Sequence, residues 1–205
     1  MKINHYVKEG SKLYLIMYWG NDRLKFGEKD SSVNDDGEYS MKDINKFNWG
    51  NLLAVTGYSH ALNDRLQMDI SASYTRYASA LRRNYLEKQD GAFDEKLDKS
   101  TENSRQDILL QSNFGYFYKD MIKLKWGLSY SFHHFRPEQM ELASMNVSSK
   151  TRSNYSAQSG NIYIENEWNP FRALSIYTGL RFVLYHAERE NHYFLVLMIL
   201  GEAVL

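Results

Sequence analysis

The sequence predicts an all-β chain folded as an antiparallel up-and-down meander. Three observations carry this. Apolar and polar residues alternate with period two over long runs, tight turn signals alternate with long polar connections, and aromatic residues gather at the ends of the runs. Period two means a strand whose two faces meet different surroundings.

The longest run is "IKLKWGLSYSFHHF", residues 122–135. It puts Ile122, Leu124, Trp126, Leu128, Tyr130, Phe132 and His134 on one face and Lys123, Lys125, Gly127, Ser129, Ser131 and His133 on the other. Strands in soluble proteins more often stop at about five or six residues. Before it, Leu66, Met68, Ile70, Ala72 and Tyr74 oppose Gln67, Asp69, Ser71, Ser73 and Thr75. Next, Ile108, Leu110, Phe114 and Tyr116 share a face, interrupted by Ser112, against Gln111, Asn113 and Gly115. Near the end, Leu174, Ile176, Thr178, Leu180, Phe182 and Leu184 oppose Ser175, Tyr177, Gly179 and Arg181. Three further runs, 13–19, 52–62 and 155–168, have apolar residues on both faces and complete a set of seven strands, with no convincing helix.

The connections fall into two kinds. "ALNDRL" (61–66), "YKDMIK" (118–123) and "WNPFRA" (168–173) carry Asn, Asp and Pro where tight turns use them. Residues 20–49, about 82–105 and about 136–154 are long and polar, and read as loops. Repeated structureless loops of that length are rare in compact soluble domains. Short turns at one end and long loops at the other are the habit of outer-membrane barrels, so the meander reads as a segment of a transmembrane β-barrel.

Composition agrees with this. The chain has 205 residues, no cysteine, two prolines, sixteen tyrosines, and 25 basic against 25 acidic residues. A neutral balance gives no electrostatic reason to expect nucleic acid as a partner, and the absence of cysteine excludes a disulfide framework and a thiolate metal site. Mean hydropathy is −0.58, as low as in a soluble protein. In a barrel, however, each lipid-facing residue is diluted by a polar lumen residue. No stretch reaches the ~18 apolar residues of a spanning helix. The opening "MKINHYVKEG" lacks the apolar region of a signal peptide.

In such a barrel Trp19, Trp49, Tyr74, Tyr77, Tyr116, Tyr118, Phe132, Phe135 and Trp168 are expected near the two headgroup zones. Leu66, Met68, Ile70, Ile108, Leu110, Phe114, Ile122, Leu124, Trp126, Leu128, Leu174, Ile176, Leu180 and Phe182 are expected to face lipid. Gln67, Asp69, Gln111, Asn113, Lys123, Lys125 and Arg181 are expected in the lumen. The alternative is a soluble β-barrel binding a small apolar ligand, with the apolar set inside.

"YWGNDRLKFGEKD" (18–30), "WGNLLAVTGYSHALNDRLQMDISASYTRY" (49–77) and "LSIYTGLRF" (174–182) resemble the barrel region of TonB-dependent outer-membrane receptors. The resemblance extends over most of residues 12–186. It implies uptake of a scarce ligand (an iron chelate, cobalamin, a glycan or a peptide) across the outer membrane. It also implies outer-membrane lipid and the TonB complex as partners, the latter through an N-terminal plug region, with a surface lipoprotein as a further partner. Members carry a signal peptide, a plug, a TonB box and a 22-stranded barrel. The first three are not visible here, and seven strands are about a third of the barrel. The chain is therefore expected to be a fragment: a lead-in at 1–11, a partial barrel at 12–186, and an atypical tail at 187–205. In that tail "NHYFLVLMILGEAVL" has no polar face, which suits either a shifted reading frame or one more buried strand.

Chemistry is sparse. His133 and His134 point to opposite faces of a strand and cannot chelate one ion together. Ser32, Asn34, Asp36, Gly37 and Asp43 fall at calcium-loop spacing, but the first position lacks Asp and the last lacks Glu, so a solvated loop is expected. His134 with Ser129 or Asn113 would suit a barrel lipase, yet no nucleophile motif fixes a serine. No enzyme activity, cofactor or metal is expected.

Overall fold

The computed structural model describes the chain apart from residues 35, 36, 90, 91, 120, 143–147, 172, 173, 188, 189, 204 and 205. It is all-β, and the described residues contain no helix. The strands are β1 (Lys2–Lys8), β2 (Ser11–Asn34), β3 (Gly37–Ala61), β4 (Leu66–Gln89), β5 (Ala92–Tyr118) and β6 (Ile122–Arg136). There follow β7 (Glu138–Leu142), β8 (Ser148–Arg152), β9 (Tyr155–Phe171), β10 (Leu174–Ala187) and β11 (Glu190–Ala203). Nine of them form one sheet in the order β1-β2-β3-β4-β5-β6-β9-β10-β11, every neighbouring pair antiparallel. β7 and β8 pair separately, as a hairpin inserted between β6 and β9.

Nine strands therefore replace the expected seven. Residues 2–8, expected as lead-in, pair with β2, and residues 190–203 pair along the whole of β10. Two of the three expected loops are instead strand continuations. β2 and β3 stay in register from Ser11↔His60 up to Asn34↔Gly37, and β4 and β5 run together up to Gln89↔Ala92. Both faces of these upper segments are polar, so they lack the alternation that marks a strand. The backbone ladder holds them in place.

The short turns do lie together. Ala61 N donates to Gly10 O (2.7 Å), Phe117 N to Arg65 O (2.8 Å) and Asn169 N to Met121 O (2.8 Å). These bonds stitch the ends of successive hairpins along one rim. At the first, Gly10 takes a left-handed φ of 71°, which glycine adopts without cost. At the third, Lys119 has φ 50°; Asp120, expected at its centre, lies outside the described residues, as do 172 and 173 beyond Pro170. At Asn63 the side-chain Oδ1 accepts from both Arg65 N and Leu66 N at 2.9 Å, an Asx-type turn. Asn63→Ala removes that acceptor and both bonds, so a loss of about 1 kcal/mol in unfolding free energy is expected by urea titration in detergent.

The sheet has no hydrophobic core. Among the described residues the only buried apolar side chain is Ala157. The accessible surface is 15183 Å² for a 24.1 kDa chain, against roughly 10,000 Å² for a compact monomer of that mass.

Candidate functional site: a two-faced wall

Cross-strand partners point to the same side of a sheet, so register assigns every side chain to one of two faces. The row Ser112–Leu128–Ile162–Phe182 crosses β5, β6, β9 and β10 on one face. The row Met68–Phe114–Trp126–Ile164–Leu180 lies on the same face, where the Phe114 and Trp126 rings stack at 5.5 Å. Leu66, Ile70, Ile108, Leu110, Ile122, Leu124, Leu174 and Ile176 belong there too. Gln67, Asp69, Gln111, Asn113, Lys123, Lys125 and Arg181 all occupy the other face.

The exposure pattern reverses that of a soluble protein. Leu128 is 56% exposed and Ile162 64%, whereas Gly127 is buried and Ser129, Asn161 and Tyr163 are half-buried. Glycines report the same crowding. A Cβ on Gly127 would meet the Tyr163 ring at 2.7 Å, and one on Gly57 would run into the Tyr14 ring. On the apolar face a Cβ on Gly160 would meet nothing within 4 Å.

Six of the nine expected interface aromatics lie on the apolar face, at two levels. Tyr116, Tyr118 and Trp168 sit near the short-turn rim, and Trp19, Tyr74 and Phe132 at the far end of the apolar band. Trp49, Tyr77 and Phe135 fall on the polar face instead, because their register positions are odd steps from those of the six. Ile122 pairs with Trp168, and Phe132 lies ten residues further along β6. That is about 33 Å of strand, or about 25 Å of thickness at the ~40° tilt usual in barrels, which equals their apolar band.

Between those levels the apolar face carries no Lys, Arg, Asp or Glu from β2 to β11 among the described residues, and Lys8, paired with Ser11 beside the β1–β2 turn, is the charge that register places there on β1; the polar face carries Lys12, Asp69, Lys123, Lys125, Glu165, Glu167 and Arg181. These are woven together. Tyr14 Oη donates to Asp69 (3.1 Å), Lys123 Nζ to Glu167 (2.8 Å) and Tyr163 Oη to Asn113 (2.9 Å). Arg181 reaches Glu165 at 3.5 Å and lies over the Tyr163 ring.

Further up, the polar face holds a cluster that sequence reasoning missed. Asp107 accepts from Thr75 Oγ1 (3.2 Å) and Arg105 Nε (2.9 Å), and lies 2.6 Å from His133 Nδ1. His133 Nε2 is 3.1 Å from Ser131 Oγ, itself 2.6 Å from Ser159 Oγ. The polar odd positions of β5 and β6 held the clue, but pairing them requires the register. The order Asp–His–Ser invites comparison with acyl transfer. The backbone N–H groups around Ser131 are committed to the ladders with β5 and β9, which leaves them unable to serve as oxyanion donors. The imagined trio does not assemble: His134 is on the apolar face and Ser129 and Asn113 on the other. Ser32 and Asn34 lie in β2, and Gly37 and Asp43 in β3, strung along a hairpin instead of wrapped round an ion; Asp36 lies outside the described residues. Asp43 instead pairs with Arg83 at 2.6 Å and holds that guanidinium above its ordinary pKa, through the hydrogen bond first. Nearby, desolvation and then the Glu87 carboxylate push the Tyr85 phenol up to about 12.

No family model and no curated protein matches the chain. Among solved structures it is similar to the ferric-catecholate import receptor Fiu from E. coli K12. The open form matches with a TM-score of 0.51 at 10% identity over 98% of this chain and 48% of that one. The closed form matches with a TM-score of 0.52 at 10% identity over 98% of this chain and 44% of that one. The chain thus spans about half the length of the structures it matches, and what it shares with them is the fold of a β-barrel wall.

Proposed function

We propose that these strands are wall staves of a TonB-dependent outer-membrane receptor, with the apolar face in lipid and the polar face lining the passage of a scarce ligand. The observation that carries this is the apolar face itself: free of Lys, Arg, Asp and Glu from β2 to β11 among the described residues between two aromatic levels about 25 Å apart, and more exposed than the polar face behind it. The likeness to Fiu supports it and makes a ferric catecholate one candidate cargo beside other iron chelates, cobalamin, glycans and peptides. On this reading the partners are outer-membrane lipid, the TonB complex engaged through an N-terminal plug region, and a surface lipoprotein, and the chain catalyses no reaction.

Fractionation tests the reading. The protein carrying these strands is expected in the outer-membrane fraction, released only by detergent. Recovery in the soluble fraction without detergent defeats the proposal and favours a soluble barrel. Energised uptake is tested separately: accumulation of a labelled ferric catecholate should collapse in cells lacking TonB if that is the cargo.

A further inference from the structure

We propose that the polar face carries, at the height of Phe135, a binding basin for a planar aromatic ring bearing a single carboxylate. This rests on the reading of that face as the lining of a passage, and its guest is not a metal chelate. Tyr77 and Phe135, expected among the headgroup anchors, lie instead in the polar-face row Tyr77–Arg105–Phe135–Tyr155, which crosses β4, β5, β6 and β9. The next row towards the short turns is Thr75–Asp107–His133–Ala157–Ala187, and Tyr185 stands one row further, opposite Ser159. Two adjacent methyl side chains are thus framed by rings above and below. A cavity of about 470 Å³ opens over Ala157 and Ala187, walled by Tyr77, Phe135, Tyr155 and Tyr185, with Arg105 at its side. Ser104 and Ser156, which register assigns to the other face, border it from between their lining neighbours. Clefts of this size, walled mainly by apolar and aromatic side chains with few polar groups, suit small organic ligands.

Arg105 fixes what the guest must be. Its Nε donates to the two oxygens of Asp107 at 3.1 and 2.9 Å, and its guanidinium lies 5.0 Å from the centre of the Phe135 ring. Asp107 is itself held by Thr75 and His133. The terminal nitrogens of Arg105 donate to nothing among the described residues, so an oriented fork stands open beside the rings. Such a fork takes a carboxylate through two parallel charge-assisted bonds. Among the described residues Arg105 is the one cation bordering the cavity, no carboxylate borders it, and Asp107 already offsets its charge. A ferric catecholate complex, with several negative charges, therefore finds no field to match it. A quaternary ammonium guest would meet a guanidinium already seated on the Phe135 ring it needs. A sugar brings many hydroxyls, yet Asp107, Ser131 and Ser159 are already committed to protein partners. Those hydroxyls would lose water without gaining a bond. A flat ring with one carboxylate leaves nothing unpaired: its faces meet rings and its anionic end meets the fork.

The test uses the full protein purified in a mild non-ionic detergent, titrated calorimetrically with naphthoate against a matched micelle blank. Two controls divide the recognition: decahydronaphthoate keeps the anion without the aromatic ring, and naphthamide keeps the ring without the charge. Naphthoate is expected to bind about tenfold or more tightly than either. Arg105→Gln is expected to abolish the preference over naphthamide, and Tyr155→Ala to shrink the preference over decahydronaphthoate. Arg181→Gln is the control, because Arg181 also lies over a ring of the polar face (Tyr163, 5.4 Å) but is paired to Glu165 and stands outside the cavity. Binding in that variant should not change. Equal binding of naphthoate and either control by the unaltered protein, which needs no variant to fold, overturns the basin. So does an equal loss in Arg181→Gln, or displacement of naphthoate by an equimolar ferric catecholate. Selective binding by a protein recovered without detergent upholds the basin and defeats the transport reading; membrane insertion without binding does the reverse.

Discussion

Leu128→Arg is expected to block assembly into the membrane, while Ser129→Arg, one residue along, is expected to leave it largely intact. Leu128 lies in the row Ser112–Leu128–Ile162, near the middle of the uncharged face. A cation on the lipid side at mid-depth costs about 2–4 kcal/mol. Ser129 belongs to the polar face, where its hydroxyl accepts weakly from Asn161 Nδ2 (3.4 Å) and lysines already stand two and three rows away at Lys125 and Lys123. Comparing folded protein in the outer membrane for the two variants gives the measurement. Equal tolerance of both would count against any lipid-facing surface; in a soluble barrel each arginine would be judged by packing alone.

The second large effect separates the faces by volume instead of charge. Gly127→Ala places a methyl 2.6 Å from Ser112 O, 2.7 Å from the Tyr163 ring and 2.8 Å from Asn113 Oδ1. The first of these is backbone and cannot swing away. Moving Tyr163 aside also disturbs its 2.9 Å bond to Asn113. Overpacking of this kind typically costs about 1–3 kcal/mol. Gly160→Ala, on the next strand but the opposite face, meets nothing within 4 Å, and a change within about 0.5 kcal/mol is expected. Urea midpoints in detergent should therefore fall for the first and hold for the second. A matching fall at Gly160 would mean that face is covered by something that packs as closely as Tyr163.

The contrast between faces was legible in the sequence wherever the faces differ. Leu124, Trp126 and Leu128 against Lys123, Lys125 and Ser129 need only the period of a strand to be sorted. The upper halves of β2 to β5 were not legible, because Arg23, Lys25 and Lys46 lie on one side and Asp22 and Asp43 on the other. With polar residues on both sides, no alternation survives. β11 fails in the opposite way: Tyr193, Leu195 and Leu197 on one face meet Phe194, Val196 and Met198 on the other, so its strand character appears only through pairing with β10. The Asp107–His133 contact stayed hidden because residues 26 apart become neighbours only once the register of β5 on β6 is known.

With Ala157 the lone buried apolar side chain among the described residues, folding moves little hydrocarbon from water into a protein interior. If amphiphile covers the apolar band before and after the ladders part, little new apolar surface is hydrated on unfolding. Such hydration is what gives unfolding its large heat-capacity increment, about 12–15 cal/mol/K per residue in globular proteins. Here the increment is expected to be far smaller, which makes the enthalpy nearly constant with temperature and the stability curve shallow. A sheet built this way resists heat over a broad range and has no matching weakness in the cold.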